Sequence, residues 1–150
     1  MRAAASIAFA LCAIGCDAPS TNVVLANDYA PSSGYVVVAA RWSTVAYSTP
    51  IEPGASSDPQ PAIAASPNTA WALLAHGTPA SLIVLQSIAG FEVHLNQTLR
   101  IAIDDATFAG NCAAGSTLAQ SDADFITTRV FAADFTGARY DAATCTTSTP

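Results

Sequence analysis

Residues 91–104 read Phe91-Glu92-Val93-His94-Leu95-Asn96-Gln97-Thr98-Leu99-Arg100-Ile101-Ala102-Ile103-Asp104. Phe91, Val93 and Leu95 alternate with Glu92 and His94. Leu99, Ile101 and Ile103 then alternate with Arg100, Ala102 and Asp104. A period of two is the mark of a half-buried strand. Two such strands joined by a short link predict a hairpin that keeps both apolar faces on one side. A loop of Asn96-Gln97 alone would set His94 against Leu99. A loop of Asn96-Gln97-Thr98 sets Leu95 against Leu99, Val93 against Ile101 and Phe91 against Ile103, and puts His94 across from Arg100 on the outer face. The spacing therefore predicts the three-residue loop.

Further strand signals lie on both sides. Tyr35-Val36-Val37-Val38-Ala39-Ala40-Arg41-Trp42 is rich in β-branched and aromatic residues and follows Pro31-Ser32-Ser33-Gly34. Residues 22–26 form a shorter candidate. Trp71 to His76 reads as a buried strand closed by Gly77, and Ser81 to Ser87 as another. Before Trp71, residues 48–68 hold five prolines and read as a long irregular connection. One segment has helical spacing. Ser121 is placed to cap it, Asp122 and Asp124 fall in its first turn, and Phe125, Ile126, Arg129 and Val130 follow a 3–4 spacing. Its Ile, Val and Thr content leaves a strand over 125–131 as the rival reading. The sum is an all-β chain: a single antiparallel β-sandwich of about seven strands with one short helix near residues 121–131. It resembles immunoglobulin domains in broad architecture, without their cysteine and tryptophan spacing.

The 150 residues suffice for one core, and 51% of them are hydrophobic against 11% charged, which excludes disorder. Five arginines and no lysine stand against eleven acids. So few cations exclude phosphate neutralisation, and hence nucleic acid as a partner.

Residues 1–16 read MRAAASIAFALCAIGC. Arg2 precedes an uncharged apolar run from Ala3 to Ile14, too short to span a bilayer as a helix and of the length of a secretory signal core. Ala13-Ile14-Gly15-Cys16 resembles the lipobox of bacterial lipoproteins, with small residues before a cysteine. Ile14 is larger than that family usually carries there, and Ala13 stands where it usually has Leu. The resemblance covers about a tenth of the chain. It implies that the Cys16 thiol is acylated and that residues 1–15 are removed, leaving residues 16–22 as a short tether to a domain over 23–150. It also implies a protein held by lipid on a membrane, facing the periplasm or the cell exterior. The ordinary alternative is a signal peptide cut elsewhere, with Cys16 a plain thiol.

Once Cys12 leaves with the signal and Cys16 takes lipid, Cys112 and Cys145 remain. An even pair in an exported domain reads as a disulfide, worth about 3.8 kcal/mol in the chain-entropy model. Two buried thiols or two metal ligands are the rivals, and the absence of any CxxC spacing counts against a metal.

Little in the chain points to catalysis. His76 and His94 are the only histidines and Glu52 and Glu92 the only glutamates. No GxSxG, HExxH, GxGxxG or P-loop pattern occurs. Joining His76 and His94 to Asp104 and Asp105 would suit zinc or copper, and Asp104-Asp105 with Asp122 and Asp124 would suit calcium. Rim imidazoles, turns and caps explain these residues with fewer demands. Trp42, Tyr47, Trp71 and Tyr140 are candidate sugar-stacking rings. Core packing is the simpler role for both tryptophans, and Tyr47 is the better exposed contact. The reading is a non-enzymatic lipoprotein with no cofactor and no metal, a binding or structural module whose partners are the membrane and an envelope protein. The loop from Thr49 to Asn68 is its candidate contact surface, or the cover of a sheet edge. A metal- or carbohydrate-binding accessory domain of an extracellular enzyme system is the alternative.

Overall fold

The structure, a computed structural model, describes residues 20–77, 81–110, 120–131, 139–141 and 146–148. Cys16, Cys112 and Cys145 lie outside the described residues. The fold is an all-β sandwich with one face covered by a helical segment. Its twelve described strands are β1 (Asn22–Asn27), β2 (Val36–Trp42), β3 (Val45–Tyr47), β4 (Gln60–Pro61), β5 (Ala65–Asn68), β6 (Ala70–His76), β7 (Ser81–Ser87), β8 (Phe91–Val93), β9 (Thr98–Ile103), β10 (Phe108–Gly110), β11 (Arg139–Asp141) and β12 (Thr146–Ser148). The count exceeds seven because many of them are pieces of two to four residues.

A five-stranded antiparallel sheet runs β10-β7-β6-β2-β3. Facing it are a three-stranded sheet, β4-β1-β9, and the β5-β8 ladder; β11 and β12 pair with each other. Val23 and Leu25 of β1, Ile101 and Ile103 of β9 and Val93 of β8 pack in one cluster with Val37, Trp42, Leu74, Leu85 and Phe108 of the large sheet. This is the sandwich core. The opposite face of the large sheet is buried too. Val38, Ala39, Trp71, Leu73, Leu82 and Val84 pack under Ile126 and Val130. Burial on both faces explains the unbroken apolar run in β6.

The helix lies where its spacing predicts. α1 spans Gln120–Phe125 and continues as a π-helical turn, Ile126–Phe131. Ser121 stands inside the first turn instead of capping it. The wider turn holds Ile126, Thr128 and Val130, β-branched residues that crowd a standard helix.

The hairpin over residues 91–104 does not form. β8 pairs antiparallel with β5, and β9 pairs in parallel with β1, from Asn22 opposite Thr98 to Asn27 opposite Ile103. The link 94–97 is an arch between two ladders of one layer. The His94 N–H donates to Gln97 Oε1 at 3.1 Å, and Asn96 takes a left-handed conformation at φ 62°. Alternation puts Val93, Ile101 and Ile103 in the core by either route. A hairpin sets the two apolar faces side by side in one sheet, whereas an arch sets them in different ladders of one layer. Sequence parity does not separate the two. The parallel β1–β9 pair follows from the arch, because β9 is released from β8 to lie along β1. Leu95, expected in the core, is 75% exposed because β8 ends at Val93.

The proline-rich connection is stitched to its neighbours. Ile51 exchanges backbone bonds with Val37, and the Ser57 N–H donates to the Leu25 carbonyl while the Leu25 N–H donates to Ser57 Oγ. Gln60 and Pro61 pair with Val23 and Asn22. Residues 51–61 thus cover the free edge of β1, where an open strand would invite pairing with another chain.

Candidate functional site

β2 does not run straight. Val37 pairs with Leu74 but Ala39 pairs with Leu73, so one extra residue sits in β2 between them. A regular strand would put Val37, Ala39 and Arg41 on one face. The bulge inverts the alternation, leaving Ala40 and Trp42 in the sandwich core and turning Ala39 and Arg41 to the helix-covered face. Arg41 is there directly opposite Trp71 of β6.

On that face Arg41 Nη1 donates to Asp122 Oδ1 at 2.9 Å. Arg41, Trp71 and Asp122 line a cleft of about 210 Å³ with Ser43, Asn68, Thr69 and Ser121. A guanidinium, a carboxylate, three hydroxyls and an amide thus border one small hollow. The Trp71 ring is 3% exposed and meets Phe125 edge-on at 6.0 Å. Its Nε1–H is buried with no hydrogen-bond partner among the described residues, an exception to the rule that buried donors are satisfied. The cleft can take hydrogen-bonding ligands with acceptor oxygens.

Trp42 contrasts with Trp71. Its ring is 1% exposed, and its Nε1–H is shared between the Asn68 carbonyl at 3.1 Å and the Phe91 carbonyl at 3.2 Å. That bond ties the β5–β8 ladder to the large sheet. Both tryptophans are therefore core residues, as their sequence setting indicates. Tyr47 is half-buried against the core instead of projecting as a contact. Tyr140 lies in β11, and its side chain is outside what is described.

The remaining candidates are dispersed. Exposed His76 has its ring 4.6 Å from Tyr35. His94 is exposed, with Nδ1 3.7 Å from Glu92 Oε1. Arg100 does not meet it, because the hairpin is absent, and instead makes a two-armed ion pair with Asp28. Asp104 accepts the N–H groups of Ala106 and Thr107 and the Thr107 hydroxyl. These bonds, led by the hydroxyl, hold its carboxyl below the usual range. Asp105 accepts the Tyr29 hydroxyl at 2.8 Å. Burial, and then that bond, push the Tyr29 phenol well above its ordinary value. Asp122 serves Arg41, and the Asp124 carbonyl accepts the Thr128 hydroxyl. Among the described residues no group of three His, Cys, Asp or Glu side chains comes together to hold a metal.

Sequence reasoning missed the Arg41–Trp71–Asp122 arrangement. Its one signal is a single arginine at the end of a Val/Ala strand, where strict alternation would bury it. The Thr49–Asn68 segment is chiefly an edge cover, though Asn68 borders the cleft. No protein-family model, curated protein or solved structure matches this chain.

Proposed function

We propose that the chain is an exported lipoprotein, held on a membrane by acylated Cys16, whose sandwich is a non-catalytic binding module of the cell envelope. The observation that carries this reading is the uncharged run Ala3–Ile14 ending on Gly15-Cys16, six positions before β1 begins at Asn22. β1 is the central strand of its sheet, so the tether leads straight into the core and the domain rides close to its anchor. Six residues reach about 20 Å when extended. Among the described residues no helix is long and apolar enough to cross a membrane. The binding role rests on the Arg41–Asp122 cleft.

Intact mass of the protein from the membrane fraction, beside a Cys16→Ser variant, tests the anchor. The expected wild type lacks residues 1–15 and carries acyl mass, with two thiols that alkylate only after reduction. A free thiol at Cys16, or a start elsewhere without lipid, refutes it. The hydroxyl, amide and guanidinium lining of the cleft favours a carbohydrate ligand as a second reading. Calorimetry against a glycan panel tests that reading, with Arg41→Ala expected to abolish any signal.

A further inference from the structure

Four large aliphatic side chains are exposed among the described residues: Ile63, Ile83, Ile88 and Leu95. Ile63 is 70% exposed and Leu95 75%, and both flank Thr21, the residue before β1. The Ala62 N–H donates to the Thr21 carbonyl at 2.9 Å. The Asn96 N–H donates to Thr21 Oγ1 at 2.9 Å, and the Asn22 N–H to the Gln97 carbonyl at 3.0 Å. Ala65 pairs with Val93 in the antiparallel β5–β8 ladder. Ile63 stands two residues before that pair and Leu95 two residues after it, both just outside the ladder. The two aliphatics and the incoming tether therefore share one pole, where β1 and β9 begin.

Segments 20–22, 60–63 and 94–98 contain no carboxylate, and the carboxylate beside them is Glu92, 3.7 Å from His94 Nδ1. Asp28, Asp104 and Asp105 gather where β1 and β9 end.

We propose that Ile63 and Leu95 form a second, non-covalent contact with the bilayer that carries the acylated Cys16, seating this pole in the headgroup–acyl boundary. The proposal rests on the anchor reading. Five residues separate Cys16 from Asn22, so the pole cannot leave the neighbourhood of the headgroups. Two aliphatics are a weak membrane ligand for a free protein. Beside an anchored lipid their insertion is an intramolecular step at high effective concentration. The contact would set the orientation of the domain and turn the acidic pole away from the lipid.

The test uses full-chain acylated protein in vesicles of three parts phosphatidylethanolamine to one part phosphatidylglycerol, with and without brominated acyl chains. Trp42 and Trp71 are buried and give a constant background. Leu95→Trp places a reporter at the tether pole. Ile88→Trp is the control, since Ile88 is 66% exposed and its N–H bonds the Thr107 carbonyl beside the acidic turn. Bromine is expected to quench the Leu95→Trp emission several-fold more than the Ile88→Trp emission, and Ile63→Trp should behave like Leu95→Trp. Equal quenching in acylated protein overturns the contact and leaves the anchor standing. Protein without acyl mass overturns the anchor, and the contact with it. A bromine-insensitive blue shift of Leu95→Trp, seen also in the unacylated Cys16→Ser chain, would place a second copy on the patch and overturn the proposal.

Discussion

Arg41 of β2 and Asp122 of α1 meet at 2.9 Å across 81 positions of sequence. The pair pins the start of the helix to the bulged strand and forms one wall of the cleft. Both side chains are partly exposed, at 33% and 20%, so solvent screens the attraction. A double-mutant cycle with Arg41→Met and Asp122→Asn is expected to give a coupling of about 0.5–1 kcal/mol in urea unfolding, shrinking at high salt. A coupling of zero would remove the pair from any role in seating α1.

The two tryptophans should respond differently to the same change. Trp42→Phe strips a shared hydrogen bond from two carbonyls and is expected to cost about 2–3 kcal/mol. Trp71→Phe removes a buried N–H that has no partner among the described residues. That gain offsets the lost ring volume, and the net effect should stay within about 1 kcal/mol. Urea midpoints of the two variants check the order, and the reverse order contradicts this account.

Gly90 lies where two backbones come close. A Cβ there would stand 3.1 Å from Pro67 Cβ, 3.2 Å from the Pro67 carbonyl carbon and 3.3 Å from the Asn68 nitrogen. Gly90→Ala must push β5 from β8 and is expected to cost about 1–3 kcal/mol. It should also move the Asn68 carbonyl off the Trp42 indole, which an upfield shift of that N–H proton would report.

The Asp104 turn should tune acid stability. Its carboxyl is held below the usual range, first by the Thr107 hydroxyl. The folded state therefore favours the ionised form. The contribution is complete above the ordinary value near 3.8 and fades as pH falls through the lower folded value. Thr107→Val is expected to raise the Asp104 value and move the acid-unfolding midpoint to higher pH, as carbon-detected titration and circular dichroism would show.

Tyr29 acts at the other end of the scale. Burial and the bond to Asp105 raise its folded value above the ordinary 10.0. Its contribution is complete below pH 10 and is lost as pH rises toward the folded value. Tyr29→Phe should flatten the loss of stability above pH 10, and ultraviolet titration should show one fewer tyrosine ionising late.

Much of this chain is legible without coordinates, and the reasons are local. β7 spans the predicted Ser81–Ser87, and β2 and β6 match their predicted runs within a residue, because short β-branched and apolar runs bounded by turn residues have few other uses. The helical segment over 120–131 follows from the 3–4 spacing of Phe125, Ile126, Arg129 and Val130. The core positions Val93, Ile101 and Ile103 follow from parity alone.

Pairing was beyond that reach. Parity says which face a residue takes but not which strand lies beside it, so an arch with a parallel β1–β9 ladder carries the same signature as a hairpin. The bulge between Val37 and Ala39 depends on what β6 presents opposite, and it alone decides that Arg41 leaves the core to meet Asp122. The exposure of Ile63 and Leu95 beside Thr21 likewise depends on where β1, β4 and β9 come together. Short-range sterics and periodicity determined the elements and their buried faces. Long-range backbone pairing, whose hydrogen bonds are the same for every sequence, decided which of them share a sheet and therefore which side chains share a site.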